Sequence, residues 1–512
     1  MKGVRQSQCA PLSDVPVRAS LRAGAAISAL LTLAAGLALR LWMLRWAFEV
    51  NGDSLIYGGI AKSLLRHGQY ALTANGVPYP TLIRLPGYPL FLVACFRLFG
   101  IENYYAAACV QIGLELAGCL LLAGFAERVA RMVKGADAAF ARRAGLATLW
   151  LAALCPFTAA YAVEPLAEAP TLFLLALALW SMAMFQERPG WPCALLFTFA
   201  VTGATLLRPD GALAAVAFAP VMFMAVRGCQ SGPESLGPRS RPFILGRVHS
   251  AVSEVGLALA DRQSRRRMIV VCALLAVAPF VAWTWRNWEV FHVVQPLAPR
   301  LATDPGESGN PGWERWVKTW CLDFNSTYSI YWNVPGDSLD VGALPARAFD
   351  SPAQFAATAA LVRDYNTHGE KLTPQIDARF AALARERIAA HPLRYYVWLP
   401  LGRLADMWFR PRVENLPIDL DWWVYAHHHQ ETVLSWGFAA LNAAYIVLAG
   451  FGLWLRPRFW KALLAYFVLR SLLLLTVEAP EARYTLEFFP MLSVLAGIAV
   501  AAWTGRRRQM AA

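Results

Sequence analysis

Runs of apolar side chains roughly 20 residues long recur along this chain, separated by short polar or basic segments, and each run has the length of one helical crossing of a lipid hydrocarbon layer. With 57% hydrophobic and 16% charged residues in 512, and a mean hydropathy of +0.40, the chain carries more apolar length than a soluble core could hide. The expected fold class is therefore an all-α polytopic membrane protein. Its net charge of +13 would suit nucleic acid, but the basic residues cluster in the segments between apolar runs, a distribution that orients a membrane chain. Most of the nine cysteines fall inside apolar runs, Cys9 and Cys229 lie in basic segments, and Cys321 alone lies in the long polar stretch, so no disulfide framework is implied.

The first run, about residues 23–44, follows Lys2, Arg5, Arg18 and Arg22, is too long for a signal-peptide core and lacks a small-residue cleavage site. It reads as a retained anchor with a cytoplasmic N-terminus, and Arg40 and Arg45 are expected to snorkel to the opposite headgroups. LPGYPLFLVACFRLFG (85–100) is short, carries Arg97 and begins with two prolines, which predicts an interfacial or re-entrant helix. Spans are predicted near 104–126, 144–162, 169–186, 191–207, 211–227, 268–288, 434–455, 462–477 and 486–503, about ten in all with both termini inside. Arg128, Arg131, Lys134, Arg142 and Arg143, the loop bearing Arg239, Arg241, Arg247, Arg262 and Arg265 to Arg267, and the tail with Arg506 to Arg508 then share the cytoplasmic side. Three parts follow: a membrane module over 1–288, with a first outer loop (47–103) and a basic cytoplasmic loop (228–267); an outer domain over 289–433; and a second membrane module over 434–512. No long internal repeat is evident.

Helix signals inside the polar insertion predict a small helical domain. In TPQIDARFAALARERIAAHP (373–392), Thr373 is a cap, Pro374 takes the first helical position, Ile376, Phe380, Leu383 and Ile388 form an apolar set, and Pro392 stops the helix. GWERWVKTW (312–320) puts Trp313, Trp316, Val317 and Trp320 on one face, the pattern of a helix at the membrane interface or of an aromatic platform for a sugar. His427, His428 and His429 invite a metal, but three adjacent side chains cannot share one helix face and no regular ligand spacing accompanies them.

VNGDSLIYGGIAKSLL (50–65) has Ile56, Tyr57, Ile60, Ala61, Leu64 and Leu65 on one side and Lys62, Ser63 and Arg66 on the other, predicting a short helix on the bilayer surface with Asp53 at its start. The predicted topology gathers Asp53, Arg84, Glu164, Glu168, Arg208, Arg286 and Arg483 at the outer membrane surface. Arginines there could hold a lipid phosphate and stabilise its charge as it leaves, and a carboxylate could take an acceptor's proton. Each residue also has a plain role: Asp53 as a helix cap, Glu168 at the positive end of its span, Arg208 as an anchor before Pro209.

GDSLIYGGIAKSLL, TLIRLPGYPLFLVACFRLFG, EPLAEAPTLFLLALAL, LLRPDGALAAV, PFVAWTWRNWEVF, RIAAHPLRYYVWLPLGRL and EARYTLEFFPML occur in this order between about Arg40 and Pro490. In that order the chain resembles polytopic GT-C glycosyltransferases, in the branch of the protein O-mannosyltransferases and the lipid A aminoarabinose transferases. The resemblance implies a multi-pass plasma-membrane enzyme whose outward-facing site moves a sugar from a polyprenyl-phosphate carrier to a glycan, lipid or protein acceptor. It implies Asp53 as catalytic base and Glu168 as the second-loop acid, with Arg84, Arg208, Arg286, Arg483, Tyr88 and Tyr484 around the donor phosphate and substrate. Many relatives carry two adjacent acids in the first loop where this chain has Asp53 and Ser54, so a divalent metal is left open. A transporter or flippase of a lipid-linked sugar, or a sensor with an outer binding domain, remains an alternative.

Overall fold

The structure, a computed structural model, describes residues 14–133, 137–228, 262–307, 309–419, 422–424 and 426–510; Lys2, Arg5 and residues 229–261 of the basic loop lie outside them. The described residues are mostly helical, as the long apolar runs lead one to expect. Helices α1 (Asp14–Trp46), α2 (Gly52–His67), α3 (Gly87–Phe99), α4 (Tyr104–Arg131), α5 (Ala138–Ala153), α6 (Pro156–Val163), α7 (Glu168–Glu187), α8 (Trp191–Leu207), α9 (Ala212–Gly228) and α10 (Arg262–Phe291) make the N-terminal part. The polar insertion contributes α11 (Pro311–Lys318), α12 (Pro352–Thr367), α13 (Pro374–Ala390) and α14 (Leu399–Phe409), and α15 (His429–Trp454), α16 (Trp460–Leu474) and α17 (Phe489–Met510) complete the bundle.

Among the described residues six helices are long and apolar enough to cross a membrane, or seven if α5 and α6 are one broken span. The count falls short of ten because the runs at 191–207 and 462–477 form helices of 17 and 15 residues, and 209–222 is similarly short. A 15-residue helix is only about 22 Å long. The run at 144–162 is not one straight helix either: it bends by 50° before Pro156, whose ring cannot follow an unbroken helix. Of the most apolar stretches of α7 and of the segment from Ala482 to Gly505, 94% and 89% of residues are buried, so they form the centre, whereas in α10, at 11%, the stretch lies on the perimeter. Where no hydrophobic force drives helices together, close backbone approach does, and glycines mark it. A Cβ on Gly452 of α15 would lie 2.0 Å from the Leu495 carbonyl, and one on Gly497 of α17 would lie 2.1 Å from Thr148 Oγ1 of α5.

Arg40 does not snorkel. It is fully buried between α1, α4 and α5, where it pairs with Glu115 and donates to the Gly36 and Ala153 carbonyls at 2.8 and 2.6 Å. A charge inside the bundle is retained because the Glu115 carboxylate and two backbone carbonyls surround it. Arg45 is exposed, as expected.

The tryptophan face of α11 is neither a membrane belt nor an open platform. Trp313, Trp316 and Trp320 are at most 1% exposed and form the core of the insertion with Phe380, Ile376, Leu361 and Tyr365. A small body far from the bundle's core needs its own large apolar side chains, and indoles supply the most area per residue. Helix α13 runs as its cap and stop signals dictate, with Thr373 Oγ1 accepting from Ile376 N at 3.3 Å. The insertion is tied to the bundle by Arg403 of α14, which donates to Cys321 O at 2.8 Å and Val477 O at 3.1 Å.

Between α2 and α3 lies a hairpin, β1 (Ala71–Ala74) paired antiparallel with β2 (Val77–Pro80). Asn75 and Gly76 turn it with φ of 51° and 80°; the Asn-Gly pair between two short strands was a signal for this turn. The described cysteines, Cys321 among them, are all free.

Candidate active site

Helix α2 starts where the sequence places it, but it packs on protein by more than its apolar side: Ser63, assigned to the polar side, is buried with Ile60 and Ala61. Asp53 sits in its first turn and is not its cap, because Asn51 holds that position. The Asp53 carboxylate is spent on two arginines from distant parts of the chain. Arg84, in the loop after β2, donates Nη2 to Oδ1 at 2.5 Å, and Arg483, just before α17, donates Nη1 to Oδ2 at 3.0 Å. Burial pushes the Asp53 carboxyl up, but the Arg483 and Arg84 guanidiniums together outweigh it and hold it at about 2.

The arginines have further partners. Arg483 Nε meets Glu481 Oε2 at 2.5 Å, and the Tyr484 hydroxyl donates to the same carboxylate. The Tyr484 ring stands 5.8 Å from the Arg483 guanidinium and 5.9 Å from that of Arg208, and so joins two arginine centres. Arg208, at the end of α8, donates to Glu168 Oε1 at 2.6 Å, with Glu487 Oε1 at 3.2 Å and Asp210 Oδ1 at 3.4 Å. Arg470 of α16 closes the network with Glu487 at 2.5 Å and Asp210 at 2.9 Å. Four arginines thus face five carboxylates from α2, α7, α16 and three connecting segments.

The two ends of this network differ. Asp53, Arg84 and Arg483 are 21–23% exposed, whereas Glu168, Arg470 and Glu487 are 1–3% exposed. Only the first end can meet another molecule without unfolding; the second locks helices together.

Tyr88, expected near substrate, is fully buried. Its hydroxyl donates to Gln111 Oε1 at 2.6 Å and its ring meets Tyr57 edge-on at 4.9 Å, while Tyr57 lies under the Arg84 guanidinium at 5.8 Å. It supports Arg84 from behind. Arg286 is not brought to Asp53. Its Nη1 and Nη2 donate to the Thr81 and Tyr70 carbonyls at 2.8 and 2.7 Å, and the Tyr70, Trp283 and Phe291 rings surround it. It clamps the hairpin to α10, since both bonded carbonyls flank β1 and β2.

Glu164, at the corner between α6 and α7, contrasts with Asp53. Burial, reinforced by Glu168 and only partly offset by Arg483, pushes its carboxyl up to about 8. The two carboxyls are thus shifted in opposite directions, Asp53 down by its arginines and Glu164 up by burial. Glu481, Glu487, Asp210 and Arg470 were not singled out from the sequence. A lone arginine inside the apolar run FVLRSLLLL was a signal for the last, because a charge there must find partners. Among the described residues, the one group with metal-ligand spacing is Asp419, His428 and Glu431, none of which belongs to this network.

No family model matches the chain, and no curated protein matches it. Among solved structures it is similar to ArnT from Cupriavidus metallidurans bound to undecaprenyl phosphate, at 15% identity and a TM-score of 0.34, over 92% of this chain and 77% of that one. The apo state of the same protein gives 15% identity and a TM-score of 0.31 over 92% and 76%. Superposition at this level fixes neither substrate nor reaction.

Proposed function

We propose that the chain is a membrane glycosyltransferase that moves a sugar from a polyprenyl-phosphate carrier to an acceptor on the outer membrane face. The observation that carries this reading is the solvent-reaching triad of Arg84, Asp53 and Arg483, two guanidiniums sharing one carboxylate that a phosphate can replace. Ordered motifs from Arg40 to Pro490, similar to those of GT-C transferases, support the same class.

The reaction is an inverting single displacement. The acceptor oxygen or nitrogen attacks the anomeric carbon, the bond from that carbon to the phosphate oxygen breaks, and the phosphate leaves with the bonding pair towards Arg84 and Arg483. With its arginines engaged, Asp53 is a weak base. An incoming phosphate draws both guanidiniums away, and burial, which opposes ionisation of Asp53, is then uncompensated, so the carboxylate becomes basic enough to take the acceptor's proton. The base is thus switched on by the donor. Asp53→Asn in nanodiscs, supplied with a labelled polyprenyl-phosphate sugar, is expected to lose transfer; full transfer by the folded variant would remove Asp53 as base.

A flippase would need charges lining a path through the bundle. The Arg40–Glu115 pair is closed, at 0% and 4% exposed, which favours the enzyme. Headgroup translocation in liposomes without acceptor separates the two, with none expected.

A further inference from the structure

The three consecutive histidines take no part in the arginine network, and the structure treats them differently from one another. His428 occupies the cap position of α15, and its Nδ1 lies 3.5 Å from Asp419 Oδ2 and 3.5 Å from Glu431 Oε1. One ligand atom from each of these three residues lies within 4.8 Å of the others. We propose that Asp419, His428 and Glu431 bind a divalent cation of the zinc class, fastening the end of the polar insertion to the first turn of α15.

Distances, donor chemistry and orientation carry this. Contacts of 3.5 Å are long for hydrogen bonds between a ring nitrogen and a carboxylate. They match the separation of two ligands on one tetrahedral ion: with bonds of about 2.1 Å, neighbouring donor atoms stand about 3.4 Å apart. The donor set of one imidazole and two carboxylates is also one that zinc accepts, leaving a fourth position for water. The orientation of Glu431 is already set, because its other oxygen, Oε2, accepts the Asp419 backbone N–H at 2.9 Å and leaves Oε1 turned to the histidine. Two carboxylates held this close repel, and a divalent ion turns that repulsion into attraction, against which the partial positive charge at the start of α15 is small. Just before the helix, His427 N and His428 N donate to Val424 O at 3.0 and 3.2 Å. The spacing that the sequence lacks is supplied in space, where Asp419 stands beside the first turn of the helix.

The ion would also stiffen the segment that backs the reactive end of the arginine network. Arg412, seven residues before Asp419, donates to the Ala482 carbonyl at 3.0 Å, next to Arg483.

The test uses the untagged full-length chain in nanodiscs, stripped with chelator and titrated with Zn²⁺ against a chromophoric competitor. One Zn²⁺ per chain is expected, with affinity reduced at least tenfold in His428→Ala and in Glu431→Gln but unchanged in His427→Ala and His429→Ala. Glu431→Gln keeps an oxygen for the Asp419 N–H, so it separates loss of the ion from loss of the loop. Co²⁺ in place of zinc should give the intense visible bands of a tetrahedral site. Equal binding by wild type and His428→Ala, or equal losses from all three histidine substitutions, overturns the proposal. None of these measurements depends on sugar transfer, so the site stands or falls separately from the enzyme reading.

Discussion

Arg470→Leu and Arg84→Leu remove the same charge from the two ends of one network, and they should fail in different ways. Arg470 is 1% exposed and serves Glu487 at 2.5 Å, Asp210 at 2.9 Å and the Tyr484 carbonyl at 2.8 Å. Its loss leaves a fully buried Glu487 dependent on Arg208 alone, and breaking a buried pair from one side costs about 3–5 kcal/mol. Arg84 is 21% exposed, and its one ionic partner, Asp53, keeps Arg483. Solvent and the remaining arginine hold that cost to about 1 kcal/mol. On activity the order reverses. Losing one donor to a departing anion lowers turnover by about 10²–10³-fold, so Arg84→Leu should be folded and nearly inactive. Thermal unfolding in nanodiscs, paired with transfer from a polyprenyl-phosphate donor, measures both. The reasoning is refuted if Arg84→Leu melts as early as Arg470→Leu, or if it melts normally and turns over at the wild-type rate.

Glu164 titrates with a raised folded value of about 8 against an ordinary value near 4.5, so the stability it contributes is complete at low pH and drains away as pH climbs to 8. Wild type should therefore melt lower at pH 8.5 than at pH 5.5, and Glu164→Gln should lose that difference; an unchanged pH slope in the variant would mean another group is responsible. A Cβ on Gly87 would stand 2.5 Å from the Leu206 carbonyl, a backbone atom that cannot yield, so Gly87→Ala should separate α3 from the end of α8, cost about 1–3 kcal/mol and depress turnover. Gly113→Ala, with nothing within 4 Å, is the neutral control in the same melting assay. For sidedness, a single cysteine at exposed Ala357 should react with an impermeant maleimide in intact cells and one at Ser240 only after permeabilisation; the opposite order would put the Arg84–Asp53–Arg483 triad on the wrong side for an exported lipid carrier.

The arginine network also explains why its members look ordinary one at a time. Arg208 before Pro209 has the sequence environment of a membrane anchor, and Asp53 that of a helix cap. Neither role survives, because each side chain has an opposite charge from a remote segment within 3.0 Å. In a region poor in water, a charge that can find such a partner gives up weaker local options.

What the sequence determined by itself is what depends on neighbours a few residues away. The long apolar runs imposed helices and a membrane, Thr373 and Pro374 fixed the start of α13, and Pro156 imposed a bend that the run's length concealed. Backbone hydrogen bonding and apolar area are local quantities, so they can be read along the chain. Tertiary structure alone decided which charges meet. It buried Arg40 against Glu115, sent Arg286 to the hairpin, hid the α11 tryptophans in a core, and brought Arg483 across 430 positions to Asp53. Ion pairing is governed by distance and burial in three dimensions, and side chains hundreds of residues apart leave no spacing from which that distance could be inferred.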